Sequence, residues 1–251
     1  SRVRVLRRVK APPPSMRANA SQRRCSAASC RRGSALLAAV VAAGHVVGAR
    51  DFTSDVEECA FDGEIQDAEA AYDEAEALRF LQYGRAAFCT PRHLEQWDCG
   101  DICDAVAVRP GSVRVAGPSQ RHKVQGFVAE LPRGGCLASI RGTVNFSNWV
   151  ADVETWTEAW PPGGAAWCPG CSVHHGFAAA YMELRTELLA AVAELRCAVV
   201  AVTGHSLGAA IAALAALELR AGLGLAVSPV YLFGAPRIGN CAFARAFESA
   251  A

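Results

Sequence analysis

Residues 198–223 read Ala198-Val-Val-Ala-Val-Thr-Gly204-His205-Ser206-Leu207-Gly208-Ala-Ala-Ile-Ala-Ala-Leu-Ala-Ala-Leu-Glu-Leu-Arg-Ala-Gly-Leu223. The run from Ala198 to Thr203 is short, apolar and rich in Val, as in a strand buried on both faces of a parallel sheet. From Leu207 onward Ala and Leu dominate, and the segment to Leu223 is predicted to be helical. Between the two lies Gly204-His205-Ser206-Leu207-Gly208, a G-x-S-x-G pentapeptide. Alone it is a bland turn, but a strand before it and a helix after it make it a nucleophile elbow. The glycines are required where the turn leaves no room for Cβ, and the serine must take up a strained φ/ψ. The amides of the helix that begins at Leu207 point at whatever oxygen the serine hydroxyl attacks. His205 flanks the serine and projects away from it, so it reads as a packing residue and not as a base.

Outward from the elbow the pattern keeps alternating. Gly176 to Arg196 reads as a long helix with Phe177, Tyr181, Leu184, Leu188 and Val192 on one face. Pro229-Val-Tyr-Leu-Phe233 is a second buried strand. Strand-like runs occur at Ala105-Val-Ala-Val, Val124-Gln-Gly-Phe-Val-Ala and Cys136-Leu-Ala-Ser-Ile, and Asp62 to Ala87 is predicted to be helical. This succession implies an α/β layered fold with a mainly parallel sheet. No repeat or low-complexity linker follows Arg50.

Charge divides the chain. Residues 1–49 hold ten of the 25 Lys and Arg and none of the 24 acids, so residues 50–251 carry a net −9. An acidic body repels phosphate backbones, which argues against nucleic-acid binding. The basic part has the layout of a secretory signal: Arg31-Arg32, an apolar run from Ser34 to Ala43, and a small-x-small site at Val47-Gly48-Ala49. The organisation read is thus a targeting segment over 1–49, with Met16 a candidate start, and a catalytic-type domain over 50–251. An organelle transit peptide or an anchor helix is the alternative. Nine of the eleven cysteines follow residue 49. That usage suits an oxidising compartment and disulfides. The competing reading is zinc held by Cys168-x2-Cys171 with His174 or His175 and by Cys99-x3-Cys103, but the wide separation of the two pairs favours disulfides.

Six ordered segments carry a family resemblance. They are Ala87-Phe88-Cys89 with Trp97-Asp98-Cys99 and Cys103; Gln125-Gly-Phe-Val-Ala129; Ile140-Arg141-Gly142-Thr143 with Asn148-Trp149-Val150-Ala151-Asp152; Cys168-Pro-Gly-Cys171-Ser-Val173-His174-His175-Gly176-Phe177; Gly204 to Gly208; and Phe233-Gly-Ala-Pro-Arg-Ile-Gly-Asn240. Together they resemble the class 3 (fungal-type) lipases within the α/β-hydrolase fold. The resemblance implies an acyl-transfer mechanism on a lipid or ester substrate at a lipid–water interface, with no cofactor, no metal and no obligate protein partner. Ser206 is then the nucleophile, Gly204 and Gly208 the elbow glycines, and the amides of Thr143 and Leu207 the oxyanion hole. The stretch 144–156 matches the family's lid, with Phe146, Trp149, Val150, Val153 and Trp156 at spacings that suit an amphipathic helix. An ordinary core-packing helix is the plainer reading of that stretch. His174 falls where the family uses a structural histidine.

Triads on this fold run Ser, then Asp or Glu, then His. After Ser206 the sequence holds no Asp and no His, and its acids there are Glu218 and Glu248. The resemblance therefore implies that the chain stops before both triad partners, and that the 251-residue chain hydrolyses esters negligibly. An exposed sheet edge is also expected. A natural remnant that binds lipid or a protein partner through the lid-like strip is the alternative function.

Overall fold

The computed structural model describes residues 3–5, 73–142 and 156–249. The lid positions Phe146, Trp149, Val150 and Val153, together with Thr143, lie outside the described residues, as does the targeting segment apart from 3–5.

Among the described residues the central sheet has six strands: β1 (Val3–Val5), β2 (Arg114–Ala116), β3 (Gln125–Glu130), β4 (Cys136–Arg141), β7 (Val199–His205) and β8 (Ala226–Phe233), in the order β1-β8-β7-β4-β3-β2. The pairs β4–β7, β7–β8 and β8–β1 are parallel, whereas β2–β3 and β3–β4 are antiparallel. A separate hairpin-like pair joins β5 (Thr157–Ala159) to β6 (Ser172–His174). The edge expected to lie open beside β8 is paired by Val3–Val5 instead. A parallel neighbour there satisfies backbone groups that would otherwise face outward.

Two apolar layers sandwich this sheet. On one face lie α4 (His175–Glu194) and α5 (Leu207–Leu217), and on the other α1 (Glu74–Ala86). Every residue of α5 is buried, which its Ala and Leu composition permits on all sides. The five residues proposed for one face of α4 (Phe177, Tyr181, Leu184, Leu188 and Val192) are all in the core. At the end of α5 the chain widens into a π-helical turn, Glu218–Gly222. There buried Glu218 accepts hydrogen bonds from Tyr181 Oη at 2.7 Å and Arg185 Nε at 2.9 Å, so its charge is paired inside the core.

The α1 layer locks onto the sheet through polar contacts as well as apolar ones. Ser139 Oγ of β4 donates to the Tyr83 carbonyl at 3.0 Å, and the Gln125 amide of β3 donates to the Ala87 and Cys89 carbonyls at 3.0 and 2.8 Å. Between α1 and the sheet run α2 (Pro91–Gln96) and α3 (Asp101–Asp104), short helices that the sequence reading left as a Cys-rich connection.

The run Ala105 to Val108 is not a strand. Its carbonyls are satisfied by side chains: Trp97 Nε1 donates to the Val106 carbonyl at 3.0 Å, and Tyr83 Oη to that of Ala107 at 2.7 Å. Val106 and Val108 are buried all the same, so apolar content alone misread this segment. The strand beside β3 is formed by Arg114–Ala116 instead.

Three disulfides lie among the described residues, Cys89–Cys99, Cys136–Cys197 and Cys168–Cys171, and Cys241 is disulfide-bonded too. Cys103 is free and buried. With Cys168 and Cys171 bonded to each other, and Cys99 to Cys89, those thiolates are not available for the zinc alternative.

Candidate active site

The site is built where β7 ends. Ser206 sits at φ 57° and ψ −124°, a conformation that an L-residue adopts only when its surroundings impose it. Two constraints do so. The Ser206 amide donates to the Phe233 carbonyl of β8 at 2.9 Å, and the Ser206 carbonyl accepts from the Ala209 and Ala210 amides as α5 begins. The half-buried hydroxyl is thus held between a strand end and a helix start.

Both elbow glycines are sterically required. A Cβ on Gly204 would stand 2.3 Å from the Gly208 carbonyl oxygen, and one on Gly208 would stand 2.3 Å from the Ile140 carbonyl oxygen and 2.7 Å from the Gly142 nitrogen. Helix α5 therefore presses its first turn directly on the end of β4. Gly142 is part of the same contact, because a Cβ there would meet the Leu207 Cβ at 3.1 Å and the Gly208 nitrogen at 3.2 Å. Residue 142 immediately precedes Thr143, so the chain enters residue 143 from a point packed against the Leu207 and Gly208 amides.

Four of the described histidines are occupied away from the serine hydroxyl. His93 Nδ1 pairs with Asp98 at 2.7 Å, His122 Nδ1 with Glu183 at 2.7 Å, and His175 Nδ1 with Glu158 at 2.6 Å. His174 caps helix α4, accepting from the Gly176 amide on Nδ1 at 3.1 Å. Burial holds its pKa below the ordinary histidine value, and the adjacent His175 pushes the same way. Its capping role fits the structural assignment. His205 differs from expectation, being exposed and not packed, with its ring close to Gly234. Among the described residues the Ser206 hydroxyl has no hydrogen-bond partner. Glu218 is spent on Arg185 and Tyr181, well down the chain from the elbow.

Trp156, the last residue of the expected lid, is irregular in backbone and exposed, and it precedes β5 without lying in a helix. Its ring leans on His175 at 4.9 Å, and its carbonyl accepts from the His175 amide at 3.1 Å. Signals for this contact were present only as two residues far apart in sequence.

A serine in strained backbone, seated between a parallel strand and a helix N-terminus on a mixed sheet, defines an α/β-hydrolase elbow. The family model for lipase (class 3) matches residues 137–251. A secreted mono- and diacylglycerol lipase from Fusarium solani is 32% identical over 180 residues, covering 66% of this chain and 50% of that protein. The lipase of Rhizomucor miehei is 40% identical over 111 residues, covering 41% of this chain and 29% of that protein. Among solved structures, the triacylglyceride lipase of Rhizomucor miehei aligns with a TM-score of 0.57 at 28% identity, over 70% of this chain and 66% of its own. Lipase II from Rhizopus niveus aligns with a TM-score of 0.58 at 27% identity, over 71% of this chain and 69% of its own. By this match the segment 137–251 is of the class 3 lipase family, and the chain has the α/β-hydrolase fold. It spans 50% and 36% of the length of two of the curated relatives it matches.

Proposed function

We propose that the chain carries the nucleophile of a serine carboxylester hydrolase acting on acylglycerols. The observation that supports this most is Ser206 at φ 57°, with Gly142 packed on the amides that follow it. In this reading Ser206 attacks the ester carbonyl and the alcohol departs. Water then releases the acid from the acyl-serine. The Leu207 amide, helped by that of Thr143, holds the oxyanion as the carbonyl becomes tetrahedral. The stretch 144–156 acts as an apolar lid that turns outward at a lipid surface. Relatives are named as secreted lipases, and the basic-then-apolar layout of residues 1–49 supports secretion here as well.

Activation of the serine needs an imidazole, and none in the described part reaches its hydroxyl. The 251-residue chain is accordingly expected to turn over esters negligibly. The test is hydrolysis of a short p-nitrophenyl ester and of emulsified dioctanoylglycerol by this chain and by its Ser206→Ala form. Whatever residual turnover is seen is expected to depend on Ser206. Robust turnover by the 251-residue chain would overturn the account of the missing base, and turnover surviving Ser206→Ala would overturn the nucleophile.

A further inference from the structure

We propose that Arg141 and His205 form an anion subsite beside the elbow, one that takes the phosphate of a phosphorylated acylglycerol. The proposal rests on reading Ser206 as the reaction centre and narrows the substrate class of that same site.

Parallel register pairs Ile140 of β4 with Gly204 of β7 and His205 of β7 with Phe233 of β8. One step beyond Ile140 and Gly204, Arg141 and His205 stand on neighbouring strands, with backbones about 5 Å apart. Alternation gives both the same face as Ser139 and Thr203, whose hydroxyls reach the α1 backbone. Both also flank the elbow along the chain: His205 precedes Ser206, and Arg141 precedes the Gly142 that packs on Leu207.

Arg141 has donors to spare. Its guanidinium lies over the Phe88 ring at 6.0 Å, and its one hydrogen bond among the described residues is a long one, from Nη2 to the Lys123 carbonyl at 3.4 Å. Nε is buried, and among the described residues no acceptor serves it. A half-buried cation with an orphaned donor is costly unless an anion completes it. Gln125, opposite it on β3, turns its amide nitrogen to the Ala87 and Cys89 carbonyls, and among the described residues no hydrogen bond joins its oxygen to Arg141. Burial depresses the Arg141 pKa, yet a guanidinium stays charged across any working pH. The planar fork suits phosphate oxygens, and the exposed His205 adds a second donor. Phe88 and Phe233 flank these two residues with apolar surface, which favours an anion borne on a lipid over a bare one.

The test is calorimetric titration of the 251-residue chain with three probes: dihexanoylglycerol phosphate, dihexanoylglycerol and inorganic phosphate. The phosphorylated lipid is expected to bind about tenfold or more tighter than the neutral one, the scale of one charge-assisted hydrogen bond. In Arg141→Met that difference should vanish. Arg141→Lys, which keeps the charge and loses the Nε donor, should forfeit most of it and serves as well if the methionine variant fails to fold. Equal affinity for the two lipids, or a preference that survives in either variant, overturns the subsite while leaving the elbow reading intact. Inorganic phosphate binding as tightly as the lipid overturns the lipid assignment. Binding of neither lipid overturns the acylglycerol reading itself.

Discussion

Adding a single methyl group at Gly208 tests whether the elbow is held by contact between α5 and β4. In Gly208→Ala the new Cβ would stand 2.3 Å from the Ile140 carbonyl oxygen, 2.6 Å from the Arg141 carbonyl carbon and 2.7 Å from the Gly142 nitrogen. All three are backbone atoms of one strand end, so no side chain can swing aside. Relief requires α5 to lift off β4 by about 1 Å, which thins the packing of an otherwise fully buried helix. Such overpacking costs about 3 kcal/mol, the upper end of the usual range, because neither partner can relax by rotamer change. For a domain of this size that corresponds to a fall of about 6–12 °C in Tm. The matched control is Gly84→Ala in α1, where nothing stands within 4 Å of the added methyl. Helix propensity alone should then raise stability by about 0.5–1 kcal/mol. Thermal and urea unfolding of the two variants side by side is the assay. A Gly208→Ala protein melting within a degree of wild type would refute the idea that this contact fixes the elbow.

Two further outcomes follow from the site. Ser206→Gly should stabilise the chain by about 1 kcal/mol, because glycine adopts the strained conformation without penalty, whereas Ser206→Ala should not; chemical denaturation of the pair decides it. His174 is held below its ordinary pKa by burial and by its neighbour His175, so the fold favours its neutral form. Its contribution is present above the unfolded histidine value of about 6.5 and is lost as pH falls below that toward the folded value. The urea midpoint should therefore drop between pH 7.5 and pH 5. His174→Asn, which retains a capping oxygen, should flatten that slope, and an unchanged slope would remove His174 from the account.

Much of the architecture was legible because it rests on local pattern. The switch from a Val-rich run to an Ala/Leu-rich run around Gly204–Gly208 encodes strand, turn and helix in neighbouring residues, and β7 (Val199–His205) and α5 (Leu207–Leu217) fall there. The apolar face of α4 was likewise visible in spacing alone. What failed was local too. Ala105 to Val108 has the composition of a strand, but indole and phenol donors from Trp97 and Tyr83 take its carbonyls, and nothing nearby in sequence announces partners so far away.

The sequence by itself determined that a serine would be strained at the end of a buried strand, since glycine spacing and side-chain volume are properties of the local chain. Only the tertiary structure decided what faces that serine. The glycine before Thr143 packs on the elbow because β4 and β7 are parallel neighbours in one register. His205 is exposed, and among the described residues Arg141 keeps an unmet donor, because both stand at the sheet's end on the same face. Register and burial arise from the meeting of distant segments, and no window of sequence contains both sides of such a contact.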